Sequence, residues 1–220
     1  MKVFLSNPNS WLSIITAITA IAAIFISVKQ IRLNNKQHLF DKRLEKYTVI
    51  RDLLSLYSKN KTHIIDNDSI TTSLNLEFSW LTNVSYLCDM IYVINHPLDT
   101  EKQNTFITKC EMLEKYSVEI SILWNNKAGK TFAEFVLTYK ELLQKMYQQR
   151  VCVNTYEDYN ENQNGVIELM YTYDQVKEKA KKNANDIGLF ETINKLDELY
   201  NIIVDNNYEQ KILKSLKIKD

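Results

Sequence analysis

Hydrophobic positions along this chain follow two patterns. From Trp11 to Val28 the residues are apolar, small or hydroxyl-bearing and none is charged; the run ends abruptly at Lys29. As a helix it would be about 27 Å long at about 1.5 Å per residue, close to the hydrocarbon thickness of a bilayer. Beyond it the apolar residues become periodic. Phe40, Leu44, Tyr47, Ile50, Leu54 and Tyr57 recur every three or four residues with no Gly or Pro between them, which predicts one helix from the apolar run to about Asn60. Asp41, Lys42, Glu45 and Lys46 are assigned to its solvated side.

The rest also reads as helical. Asp66-Asn67-Asp68-Ser69 is a turn and cap cluster, after which Ile70–Ile94 is predicted as one helix with Leu74, Phe78, Leu81, Cys88 and Tyr92 on its inner stripe, a candidate for the centre of the domain. Pro97 breaks the pattern, and Asp99 or Thr100 caps a helix over Glu101–Trp124 with Phe106, Cys110, Leu113, Ser117, Ile120 and Leu123 on one face. Asn125–Lys130 is read as a turn with Gly129 left-handed. A helix over Thr131–Val153 follows, with Phe132, Phe135, Val136, Tyr139, Leu142, Leu143 and Met146 inward. Asn154–Gly165 is taken as a polar loop, Val166–Lys182 and Leu189–Val204 as further helices, and Lys211–Asp220 as a frayed tail. The expected fold class is all-α: a transmembrane helix continuing into a cytoplasmic helical bundle. Its segments are a tail over 1–10, the span over 11–28, a helical connector over 29–60 and a helical domain over 61–220.

Three readings compete for Trp11–Val28. A cleavable signal would use Lys2 with Ala20 and Ala22, but the apolar run continues past those alanines through Ile24-Phe25-Ile26 into a basic flank, as a retained anchor does. A buried core helix would carry charge on its solvent side, and none occurs between Lys2 and Lys29. The anchor reading is therefore preferred. Lys29, Arg32, Lys36, Lys42, Arg43 and Lys46 follow the span while only Lys2 precedes it, so the positive-inside rule puts the long part in the cytoplasm and the N-terminus outside. Trp11 takes the place of an interfacial aromatic anchor, with Lys29, Arg32 and Lys36 at the other interface.

Composition narrows the function classes. Lysine plus arginine equals aspartate plus glutamate at 27 each, so no general attraction to nucleic acid is expected, and the local basic cluster suits anionic headgroups. Cys88, Cys110 and Cys152 are odd in number and widely spaced, which predicts buried reduced thiols in place of a disulfide frame or zinc site. Only three glycines and two prolines favour long helices.

Within the span, Ser13, Thr16, Ala20, Ala23 and Ser27 recur at spacings of three and four, opposite a mostly Ile and Phe side. Small residues let helices approach closely in lipid and hydroxyls can bond across the contact, so this face suggests a homo-oligomer. Several copies around water would make it a narrow pore; alternatively, each hydroxyl bonds its own backbone. All three stay open.

Other motifs are incomplete. Asn125–Thr131 ends like a phosphate-binding loop, but Trp124 stands where its first glycine belongs, and Ile202–Asp205 is an ambiguous magnesium-strand match. Asn160–Ile167 has the oxygen spacing of a calcium loop, yet Tyr171 replaces the bidentate glutamate. His38, His63 and His96 are scattered and are expected at the surface. No catalytic constellation, metal or cofactor is expected, and the chain is read as a non-enzyme.

At Leu39-Phe40-Asp41-Lys42-Arg43-Leu44-Glu45-Lys46-Tyr47, after a Trp-led span and a Lys-Gln-rich connector, the chain resembles small single-span bacterial membrane proteins that accompany anti-phage, abortive-infection systems, including channel effectors of the Hailong type. The resemblance covers the first quarter of the chain. It implies an inner-membrane, self-associating helical effector that alters permeability in defence, under a cytosolic regulatory protein or signal ligand. The alternative is a membrane-tethered scaffold that binds a protein and conducts nothing.

Overall fold

A computed structural model describes residues 8–65, 74–161 and 172–216, with side chains over 11–64, 77–155, 172 and 174–216. Every regular element among the described residues is helical: α1 (Pro8–Ile65), α2 (Leu74–Thr82), a short 3-10 turn (Cys88–Met90), α3 (Ile91–Asn95), α4 (Thr100–Leu123), α5 (Lys127–Glu161), α6 (Tyr173–Asp186), α7 (Leu189–Asp205) and α8 (Tyr208–Leu216). The all-α expectation holds. The chain divides into two compact units, the second running from Glu45 to Ser215.

Unit two is built around α5, which touches α2, α3, α4, α6 and α7. Its inner stripe is the one the periodicity predicts, with Phe132, Phe135, Val136, Tyr139, Leu142, Leu143 and Met146 all buried. Buried polar groups on α5 fix its neighbours, since each must find a partner inside the core. Tyr139 donates its hydroxyl proton to the Leu81 carbonyl at 2.7 Å, and the Ala133 carbonyl accepts from Ser117 at 2.7 Å. Gln149 donates to the Ala180 carbonyl at 2.8 Å and accepts from Asn183 at 2.7 Å. The later part of α1 joins this core through Ile50, Leu53 and Tyr57, the last donating to Asp197 at 3.2 Å and meeting Phe135 edge-on.

Several expectations are corrected. Residues 70–94 do not form one helix: α2 stops at Thr82, whose hydroxyl donates to the Phe78 carbonyl, and a turn follows. Cys88 and Tyr92 of the expected stripe are consequently exposed, and the central role falls to α5. Cys110 is buried as expected, whereas Cys152 is half-buried. Gly129 is not left-handed. It lies in the first turn of α5, where an added Cβ would come within 1.9 Å of the Trp124 carbonyl oxygen, so the glycine allows close approach. The left-handed glycine is Gly188, at φ 67°, ending α6 and starting α7. Helix α5 runs on to Glu161 through part of the expected loop, and 162–165 lie outside the described residues, as do Asp66–Ser69 and Val166–Tyr171. The supposed frayed tail is helical as far as Leu216. Tyr208 and Ile212 bury one side of α8, and Trp124 donates its indole proton to Ser215 at 2.8 Å.

Candidate functional site

Helix α1 starts at Pro8, where the missing N–H costs no intrahelical bond, and no Gly or Pro interrupts it before Ile65. Its first part carries the expected surface. Every residue from Trp11 to Leu39 is exposed, including Ile21, Ile24, Phe25 and Ile26, and this is one helix long and apolar enough to cross a membrane.

Ser13, Thr16, Ala20, Ala23 and Ser27 all lie on this exposed helix. At about 100° per residue they occupy about 80° of arc, and Lys29, Arg32 and Lys36 centre about 170° away from them. Both groups are visible in the sequence, and the helix sets them on opposite sides. Thr16 donates to the Leu12 carbonyl at 2.8 Å, and Thr19 to the Ile15 carbonyl at 2.8 Å. These hydroxyls are satisfied within the helix, which lowers the cost of placing them in hydrocarbon. Trp11 is half exposed at the start of the run.

A second polar cluster, missed in the sequence, sits just inside unit two. Lys46 is buried, contrary to its assignment to the solvated side: Glu45 accepts a hydrogen bond from its ammonium at 2.7 Å, Glu119 forms an ion pair with it at 2.7 Å, and the Tyr116 ring lies 3.8 Å below it. Burial opposes the charge, but the attraction of the Glu119 and Glu45 carboxylates outweighs it and holds the Lys46 pKa above its usual value. No spacing rule reveals this cluster, because Glu119 belongs to α4. Burial also pushes the Cys110 thiol up to about 12, so Cys110 is a neutral core residue at ordinary pH.

The remaining sequence motifs do not assemble into a site. Asn126 accepts from the Gly129 N–H at 2.9 Å at the start of α5, and Gly129 packs against Trp124, leaving no room there for a phosphate. Ile202–Asp205 lies within α7. His38, His63 and His96 are exposed, and the His63 ring meets Trp80 at a tilt, with centroids 4.7 Å apart. Among the described residues no three His, Cys, Asp or Glu side chains are grouped as a metal site. A shallow groove of about 320 Å³ is lined by Arg51, Leu54, Ser55, Ser58, Tyr200 and Asn207, among others. Comparisons with protein-family models, curated proteins and solved structures gave no match to this chain.

Proposed function

We propose that the chain is a single-span membrane protein whose copies associate through the Ser13, Thr16, Ala20, Ala23, Ser27 face and change membrane permeability, in the manner of an anti-phage effector. The observation that carries this reading is the fully exposed, uncharged stretch of α1. Water would penalise such a surface by about 25 cal/mol per Å² of apolar area, whereas lipid would not. The basic residues lie on the opposite side of the helix, so they would meet headgroups while the small residues met a neighbouring helix. Unit two would lie in the cytoplasm and receive the signal or regulatory partner.

Membrane potential in expressing cells tests this. The wild-type chain is expected to depolarise the membrane, and the combined change Ser13→Leu, Thr16→Leu, Ser27→Leu to abolish depolarisation while the protein stays in the membrane fraction. Equal depolarisation by both chains, or none by the wild type, would remove the permeability reading. A second reading, a tethered binding module, is favoured by the extensive core of unit two and its groove beside Arg51. Deleting residues 1–28 separates the two: a module retains partner binding in solution, and an effector loses all activity.

A further inference from the structure

Three contacts between residues far apart in sequence close a ring where α1 enters unit two. Neighbouring residues of α1 hold different helices: Lys46 pairs with Glu119 of α4 at 2.7 Å, and Tyr47 donates its hydroxyl proton to Glu209 of α8 at 3.1 Å. Trp124, at the end of α4, completes the ring by donating to Ser215 near the far end of α8 at 2.8 Å. Helix α8 thus reaches α1 with its first turn and α4 with its last. It is lightly held. Beyond those two bonds it buries the single file Tyr208, Ile212 and Leu216, whereas α5 buries Phe132, Phe135, Tyr139, Leu142 and Met146 along its length. A helix of nine residues does not keep its shape in water without such packing, so docking and helicity go together. Its link to α7 contains Asn207 at φ 51°, a left-handed conformation that a non-glycine residue adopts at a cost. Release of α8 relieves that cost. The first turn is also unsealed: a groove of about 320 Å³ lies beside it, lined by Arg51 and Ser55 of α1, Tyr200 and Val204 of α7, and Gln210 of α8.

We infer that α8 is a releasable strap, which fastens α1 to α4 while docked and swings away on Asn207 as one piece while the core around α5 stays folded. The side chains of Lys46 and Tyr47 diverge by about 100° around α1, so α4 and the docked strap grip that helix from two directions. Once α8 is released, the grip at this level of α1 falls to Lys46 with Glu119 and the Tyr116 ring. Release also uncovers Trp124, which is 3% exposed in the docked state. By opening and closing this contact, unit two sets how firmly it holds α1. The bonds from α8 to Tyr47 and Trp124 lie within unit two, so the strap stands or falls separately from the permeability reading.

Hydrogen exchange of the full chain in detergent micelles, resolved on overlapping peptides by mass spectrometry, tests the strap. The amides of Lys211–Ser215 are expected to exchange at one common rate, at least about 100-fold faster than those of Tyr139–Met146 in α5. Tyr47→Phe removes the bond at the first turn of α8 and Ser215→Ala the bond at the last. Each is expected to raise the rate over all of Lys211–Ser215 by about five- to ten-fold and to leave α5 unchanged. An α8 that exchanges no faster than α5 opens only with the core and overturns the inference. So does a rate that falls steadily from Ser215 back to Lys211 with each substitution felt at its own end, since that is fraying of a chain end. Thiol labelling gives a second reading: in a chain with Cys88→Ser, Cys152→Ser and Ile212→Cys, the buried Cys110 reports opening of the core. A maleimide is expected to label position 212 at least about ten-fold faster than Cys110, and equal rates would overturn the strap.

Discussion

Helix α1 meets two environments without a break in its backbone. Over Trp11–Leu39 every side chain is exposed although most of Trp11–Val28 is apolar; over Glu45–Ile64 the apolar residues Ile50, Leu53 and Tyr57 are completely covered by the chain's own helices. The difference is one of available partners. In unit two, α5 and its neighbours supply apolar surface and hydrogen-bond acceptors, so hydrophobic residues alternate with charged ones that face water. Trp11–Val28 has no charge to face water and satisfies its threonines on its own carbonyls, an arrangement that suits lipid.

The sharpest way to break this comparison is to truncate one large apolar residue on each side. Phe135→Ala empties the centre of α5 and is expected to destabilise unit two by about 3–5 kcal/mol. Phe25→Ala, a similar truncation on the 72% exposed side, is expected to change the melting temperature of the detergent-solubilised chain by no more than a degree or two, since little packing is lost. Gly129→Ala comes next. Its Cβ collides with backbone rather than with a flexible side chain, so the helix start must shift, at a cost of about 1–3 kcal/mol in chemical denaturation.

Lys46→Met should cost about 1–2 kcal/mol by removing the charged contacts of Lys46 with the partly exposed carboxylates of Glu45 and Glu119. The pH dependence has a definite sign. The folded pKa of Lys46 is raised above the ordinary 10.5, so its contribution is fully present below that value and is lost as pH rises through the folded pKa. The stability gap between wild type and Lys46→Met should therefore be constant from neutral pH to about 9 and narrow only above about 10.5. The smallest effect on stability concerns the thiols. Cys88 is exposed and Cys110 is buried with its pKa pushed up to about 12, so a maleimide at pH 7.5 should label Cys88 within minutes and leave Cys110 untouched until denaturant is added. Equal labelling of both would contradict the packing of α4.

Long amphipathic stretches were legible in the sequence because one core face dominates them. The stripes of α4 and α5 appear as periodicity alone, and Asp99 caps α4 as predicted, accepting from the Glu101 and Lys102 N–H groups. Features set by contacts distant in sequence were not legible. The break after Thr82 carries no Gly or Pro, Lys46 is buried only because Glu119 and Tyr116 come to meet it, and α8 is ordered by Trp124 from the far end of α4. Gly129 and Gly188 look alike as turn residues; one is required by a close backbone approach and the other by a positive φ. For the exposed face, composition was enough to find the small residues in the apolar run.

The central claim is that Trp11–Val28 lies in a bilayer, and alkaline carbonate extraction of membranes from expressing cells tests it most directly. The wild-type chain is predicted to remain in the membrane pellet, and Ile21→Lys with Ile24→Lys to release it into the supernatant with the melting of unit two unchanged. Release of the wild-type chain by carbonate would contradict the account.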